Sequence, residues 1–250
     1  MTCIQRVKYG KQPLVEVIFQ MRFPTVLNIN ATDPVKFQDE IRDSYPFYRT
    51  IVQESDVVVN DSKRSVVKEI NHEFISVDKM MKINLTSSFL AISTLSYDRW
   101  ESFYDSIIRI KQVFEKIYKP VFYTRIGLRY IDVIDRADLG LMDSGWTELI
   151  QPAILGIINK ANQSTIKQWS VKSEYLYEGS DIATRQLFQL AVKDGQQPPV
   201  MVFDCDYFKM GSIQKNTVEE LSIVLHEKSS TFLRNAITEV LHEAMKPVPL

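Results

Sequence analysis

The sequence predicts an α+β fold built from a doubled unit: strand, short helix, antiparallel strands, long helix. The sheets are expected to be covered on one face by the two long helices. Three observations predict this. Residues 14–23 alternate apolar and polar side chains with a period of two. Residues 100–117 carry one apolar stripe at helical spacing. The same succession of elements then runs a second time after Pro120, and both long helices read as ending at a Lys-Pro step, Lys119-Pro120 and Lys246-Pro247.

The first strand is Leu14 to Phe23. Val15, Val17, Phe19, Met21 and Phe23 share one face, and Glu16, Ile18, Gln20 and Arg22 the other. Thr32-Asp33-Pro34 reads as a cap with proline at the first helical position, and Phe37 and Ile41 are the buried side of a short helix stopped by Pro46. Four β-rich stretches follow: Tyr48 to Val59, Ser65 to Val77, Met80 to Thr86 and Phe89 to Tyr97, the first two separated by a turn at Asn60-Asp61-Ser62. Asp98 and Glu101 have the spacing of a capping box. Trp100, Phe103, Ile107, Ile110, Phe114 and Ile117 then form the stripe of a long helix.

The second half opens with a strand over Phe122 to Ile134. Ile126, Leu128 and Tyr130 lie on one face, and Arg125, Gly127 and Arg129 on the other. Ser144 to Ile158 reads as helix interrupted by Pro152 and Gly156. Ile166 to Tyr177, Thr184 to Val192 and Pro199 to Phe208 read as strands. Thr217 and Glu220 form a second capping box, and Leu221, Leu225, Phe232, Ala236 and Val240 supply the seam of one long last helix. The expected units are residues 1–120 and 121–250, packed as one pseudo-symmetric body. TATA-binding-protein-like and helix-grip topologies share this order, an analogy of fold that carries no function.

Composition narrows the function classes. The 250 residues are 45% hydrophobic and carry 30 basic against 31 acidic side chains, a net charge of −1. Residues 1–120 hold 17 basic and 15 acidic residues, and residues 121–250 hold 13 and 16. Neither half supplies the basic surface that neutralises phosphates, so nucleic-acid binding ranks last. Cys3 and Cys205 form no pattern, which leaves out a disulfide scaffold or a zinc knuckle. The longest uncharged window, Ile83 to Tyr97, has 15 residues and is rich in Ser, Thr and Asn, short of the roughly 20 apolar residues of a membrane helix. A cytoplasmic protein with no membrane contact is expected. The sequons at Asn30, Asn84 and Asn162 then have no role.

No phosphate loop, dinucleotide fingerprint, nucleophile elbow or His-Glu-x-x-His motif is present. With 8 glycines in the chain, a cradle of backbone amides is not expected. His226 and His242, placed on one helix, would point about 160° apart and could share no metal. Asp204 and Asp206 flank Cys205 in a strand, so both carboxylates project to one side, as an Mg²⁺-dependent phosphoryl-transfer or hydrolytic site requires. The structural alternative, two ordinary surface acids, ranks ahead. Arg125 and Arg129 share a strand face, and Glu16, Gln20 and Arg22 hold the corresponding face of the first strand. Arginines so placed need partners. Either they line a polar groove for an anionic ligand or an acidic segment of a partner, or they pair with Glu16, Asp204 and Asp206.

Three stretches carry a resemblance. Tyr9 to Phe23 with its Pro-Leu-Val-Glu-Val-Ile core, the Arg125-Ile-Gly-Leu-Arg-Tyr-Ile131 strand, and Leu225-His-Glu227 followed by Phe232 resemble a sporadically distributed prokaryotic family of uncharacterised proteins of this size. The family strand continues into Asn where this chain has Asp132. The resemblance implies no catalytic residue. The family's patchy distribution implies mobile genes and a role in defence or toxin control. The sequence therefore leads to a non-enzymatic binding or regulatory protein without a cofactor. Its expected partner is a neighbouring gene's product, a second copy of the chain or a small anionic ligand. The metal-dependent enzyme using Asp204 and Asp206 is the alternative.

Overall fold

The period-two segment forms a strand with the predicted faces from Val17 onward, while Val15, assigned to the buried face, is exposed. In the computed structural model, which describes residues 7–58, 64–161, 165–193 and 196–249, a short strand β1 (Val7–Tyr9) precedes β2 (Leu14–Arg22). Val17, Phe19 and Met21 of β2 are fully buried, while Glu16, Ile18 and Gln20 are half-buried and Arg22 is exposed. Two short helices, α1 (Leu27–Ala31) and α2 (Val35–Ile41), lead to the strands β3 (Phe47–Val58), β4 (Arg64–Ile75), β5 (Met81–Leu85) and β6 (Phe89–Thr94). The 19-residue helix α3 (Trp100–Tyr118) closes this series. The second series runs β7 (Tyr123–Ile134), α4 (Arg136–Leu139), α5 (Trp146–Leu149), α6 (Pro152–Leu155), β8 (Ser170–Leu176), β9 (Ile182–Lys193), β10 (Gln196–Ile213) and the 19-residue α7 (Val218–Ala236). A last helix α8 (Glu239–Ala244) and strand β11 (Pro247–Pro249) end the chain. The protein is α+β, and strand, short helices, strands and long helix do follow one another twice.

Spatially the chain divides into two compact units that interleave in sequence. A terminal unit takes the described residues of 1–16, 128–208 and 223–250, and a central unit those of 17–127 and 209–222. The border falls within β2, β7, β10 and α7.

In the central unit the strand order is β3-β4-β5-β6-β2-β7. Each step from β3 to β2 is antiparallel, as short turns between successive strands favour. The β2–β6 register sets Phe19 opposite Ile92 and Met21 opposite Leu90, all buried. Helix α3 buries Trp100, Phe103, Ile107, Ile110 and Phe114 of the predicted stripe, and Ile117 at its end is half-buried. The Phe114 ring meets Phe23 at 4.7 Å, so the helix lies on the apolar face of β2. Phe37 of α2 packs on Phe74 of β4 at 5.4 Å. The helix stops where Lys119 takes a left-handed φ of 49° ahead of Pro120. Its N-cap residue is Arg99, not Asp98, so the helix starts one residue later than the capping-box spacing implies.

In the terminal unit the order is β7-β10-β9-β8, and β1 pairs antiparallel with β11. Phe188 of β9 packs edge-on against Phe203 of β10 and stacks on Phe232 of α7, fixing the helix over that face. The single last helix expected from the sequence is two helices. The chain leaves α7 at Ala236, Ile237 forms a β-bridge with Ile150, and Thr238 caps α8 by accepting from the Leu241 amide. The backbone groups freed at the break are satisfied by Leu149 and Gln151, a tertiary exchange invisible to helical periodicity. Val240, assigned to the buried seam, is half exposed. Residues 144–158 likewise separate into α5, α6 and a 3₁₀ turn (Gly156–Lys160) at Pro152 and Gly156. Strand β10 is 18 residues long and extends past both expected ends. Lys246 repeats the left-handed φ, 57°, before Pro247. The Asn60-Asp61-Ser62 turn, Cys3 and Asn162 lie outside the described residues. Among the described residues no helix is long and apolar enough to cross a membrane.

Candidate functional site

The polar face of β2 and the start of β7 bring three of the predicted residues together in the central unit. Gln20 and Arg22 are two apart on β2, so both project from the face opposite Phe19 and Met21. The side-chain oxygen of Gln20 accepts from Arg22 Nε at 3.1 Å and from Arg125 Nη1 at 3.2 Å. Two guanidinium groups therefore converge on one neutral acceptor. Arg22 is exposed and makes no ion pair among the described residues. Gly127 is what lets Arg125 lie along the strand. A Cβ built at Gly127 would come within 2.7 Å of the Arg125 guanidinium carbon, closer than side chains tolerate.

Glu16 and Arg129 belong to the terminal unit. There Arg129 grips Asp204 of β10 as a fork, Nε to Oδ1 at 2.6 Å and Nη2 to Oδ2. The pair is bidentate, the strongest geometry for guanidinium and carboxylate. The hydrogen bonds to Asp204 push the Arg129 pKa further up, aided by the charges of Asp204, Asp206 and Glu16. Asp204 and Asp206 project to one side of β10 as expected, half-buried, while Phe203, Cys205 and Tyr207 are buried on the other. Both oxygens of Asp204 are engaged by Arg129. A cation held by Asp204 and Asp206 would compete with that guanidinium for Asp204.

The chain has three histidines. Each is hydrogen-bonded through Nδ1 to a tyrosine hydroxyl: His72 to Tyr48 at 2.9 Å, His226 to Tyr130 at 2.8 Å and His242 to Tyr9 at 2.8 Å. His72 also places Nε2 3.1 Å from the Ile29 carbonyl, which can only accept. Nε2 therefore carries the proton, and Tyr48 donates to Nδ1. Burial lowers the His72 pKa. Because α7 and α8 are separate helices, the 160° argument for His226 and His242 does not apply.

Two further features went unread. Asp132, on the apolar face of β7 with Leu128 and Tyr130, is buried and makes no hydrogen bond or ion pair among the described residues. Burial pushes its pKa up to about 7. The Cys205 thiol is also pushed up, by its own burial first and then by the charge of Asp132. On α8, Glu239, His242 and Glu243 set their ligand atoms within 4.8 Å of one another, a spacing that can chelate a divalent cation. Tyr9 already occupies Nδ1 of His242, and Arg234 bonds Glu239. The i, i+3, i+4 spacing was the signal available in the sequence for this group.

No protein-family model matches the chain, and no curated protein matches it.

Proposed function

We propose that the protein is a non-enzymatic binding module that holds an anionic group on the strand face of Gln20, Arg22 and Arg125. The group is a carboxylate or phosphate, carried by a small ligand or by the acidic segment of a protein partner. One observation carries the reading: two guanidiniums share a single neutral oxygen, so positive charge is concentrated without a matching carboxylate on Arg22. An incoming oxyanion would accept from the Arg22 fork, with the Arg125 guanidinium beside it adding positive charge. Arg129 contrasts with Arg22, because Asp204 already fills its fork. The near-neutral charge of the chain fits a local anion site better than a nucleic-acid surface. The resemblance to a sporadically distributed prokaryotic family extends the reading to a cytoplasmic role in defence or toxin control, with a partner encoded nearby. The doubled order of elements supports descent from a duplicated module.

Calorimetric titration at low salt with inorganic pyrophosphate, and separately with a hexaglutamate peptide, tests the reading. Binding of either probe is expected, with loss in Arg22→Gln and in Arg125→Gln. Absence of heat with both probes, or heat unchanged in both variants, overturns it.

A further inference from the structure

The outer strand of the terminal unit is self-complementary. Strand β8 pairs along its whole length with β9, from Ser170 opposite Gln189 to Leu176 opposite Ala183, and is the last strand in the order β7-β10-β9-β8. Its other edge carries no strand among the described residues. Six of its seven residues are exposed, and the seventh, Ser173, is partly so. Such an edge presents a row of backbone donors and acceptors that can template another strand.

The side chains of β8 select which strand. Val171, Ser173 and Tyr175 stand opposite Phe188, Gln186 and Thr184, which are buried. They therefore continue the helix-covered face outward, and Val171 and Tyr175 are 37% and 42% exposed. Lys172 and Glu174 project from the other face, opposite Leu187 and Arg185. Glu174 bonds Arg185 at 2.8 Å.

A second β8 laid antiparallel about a two-fold axis at Ser173 sets Lys172 against Glu174 of the other copy, twice. The same axis sets Val171 against Tyr175, also twice. Sliding the copies by two residues, which keeps the covered faces on one side, sets Lys172 against Lys172 or Glu174 against Glu174. Like charges directly opposite are destabilising, so one register is favoured over its neighbours.

The geometry points to β8 as a homodimerisation edge, through which two copies of this chain join by antiparallel strand pairing centred on Ser173. The pairing is isologous, the usual form of a two-fold interface, and extends over about 24 Å of strand. This inference does not depend on the anion site, which lies in the other unit.

Sedimentation velocity of the full chain over a range of concentrations tests it. The wild type is expected to dimerise reversibly. Lys172→Glu and Glu174→Lys each turn both ion pairs into like-charge pairs, so each alone should dimerise about tenfold more weakly. Mixed together, the two variants restore both opposite-charge pairs and should form a heterodimer of near wild-type affinity. Ser173→Cys in a Cys3→Ser background should give a disulfide-linked dimer under mild oxidation, because directly opposed residues have Cα atoms about 5 Å apart. A wild type that sediments as a monomer at every concentration overturns the proposal. A dimer indifferent to Lys172→Glu, or one whose mixed variants fail to associate, overturns it equally. Circular dichroism of each variant separates these results from unfolding.

Discussion

The Tyr9 hydroxyl lies 2.8 Å from Nδ1 of His242, joining the first described strand to the last helix across 233 residues of sequence. The rings meet edge to face at 5.5 Å, and burial pushes the tyrosine pKa up to about 12. The phenol thus stays protonated throughout the accessible pH range and remains a hydrogen-bonding partner for the imidazole. Beside it, the pairing of β1 with β11 ties the ends of the terminal unit together. The same tyrosine–histidine contact recurs at His72 and His226, so every histidine of the chain has one ring nitrogen committed to a tyrosine.

For His72 the consequence is a pH dependence. Its pKa is lowered from 6.5 by burial, so the unfolded chain takes up a proton that the folded chain resists. Stability is held above pH 6.5 and is lost as pH falls below it. Urea denaturation of the wild type should show this decline, and His72→Gln should flatten it. Identical slopes in the two proteins would contradict the assignment.

Asp132 predicts a slope of the opposite sign. Its pKa is about 7 in the folded state against 3.8 for a free side chain, so the folded protein holds the proton longer. Stability is highest below pH 4 with respect to this group and falls through the window from pH 4 to 7. The loss amounts to about 4 kcal/mol when fully developed. Asp132→Asn should remove this fall and be the more stable protein at pH 8. An Asn variant less stable than wild type at pH 8 would show that the carboxylate has a partner in solution.

Asp204→Asn should destabilise the protein by about 1 kcal/mol, because it halves a bidentate ion pair whose arginine is partly solvated. Chemical denaturation reads this directly. High salt should shrink the difference, since part of it is a screened charge interaction.

Gly127→Ala should weaken anion binding without removing a charge. The new methyl occupies the space over which the Arg125 guanidinium lies, so Arg125 must swing away from Gln20. Pyrophosphate affinity should fall about as much as in Arg125→Gln, while Gly127→Ser, equally bulky at Cβ, should behave the same way. An alanine variant that binds like wild type would place the anion elsewhere.

Much of this architecture was legible locally. The alternation of Val17, Phe19 and Met21 marked the buried face of β2. The stripe from Trp100 to Phe114 marked α3, and Lys119-Pro120 its end. These are properties of residues two to four positions apart, and chain geometry alone turns them into faces. The placement of Gln20, Arg22, Arg125 and Arg129 on polar faces followed from the same periodicity.

What periodicity could not supply was partnership. Which arginine meets a carboxylate and which shares an amide depends on strand order and register, and those link positions 75 and 105 residues apart. The break between α7 and α8 arose because Ile237 found Ile150, although the apolar spacing continued across it. The sequence by itself thus determined the elements, their buried faces and the sides from which the charges project. Tertiary structure alone decided that Asp204 neutralises Arg129, that Gln20 joins Arg22 to Arg125, and that Asp132 is enclosed without a counter-charge. Those outcomes rest on contacts between distant segments, where the gain from pairing is weighed against the cost of removing each group from water.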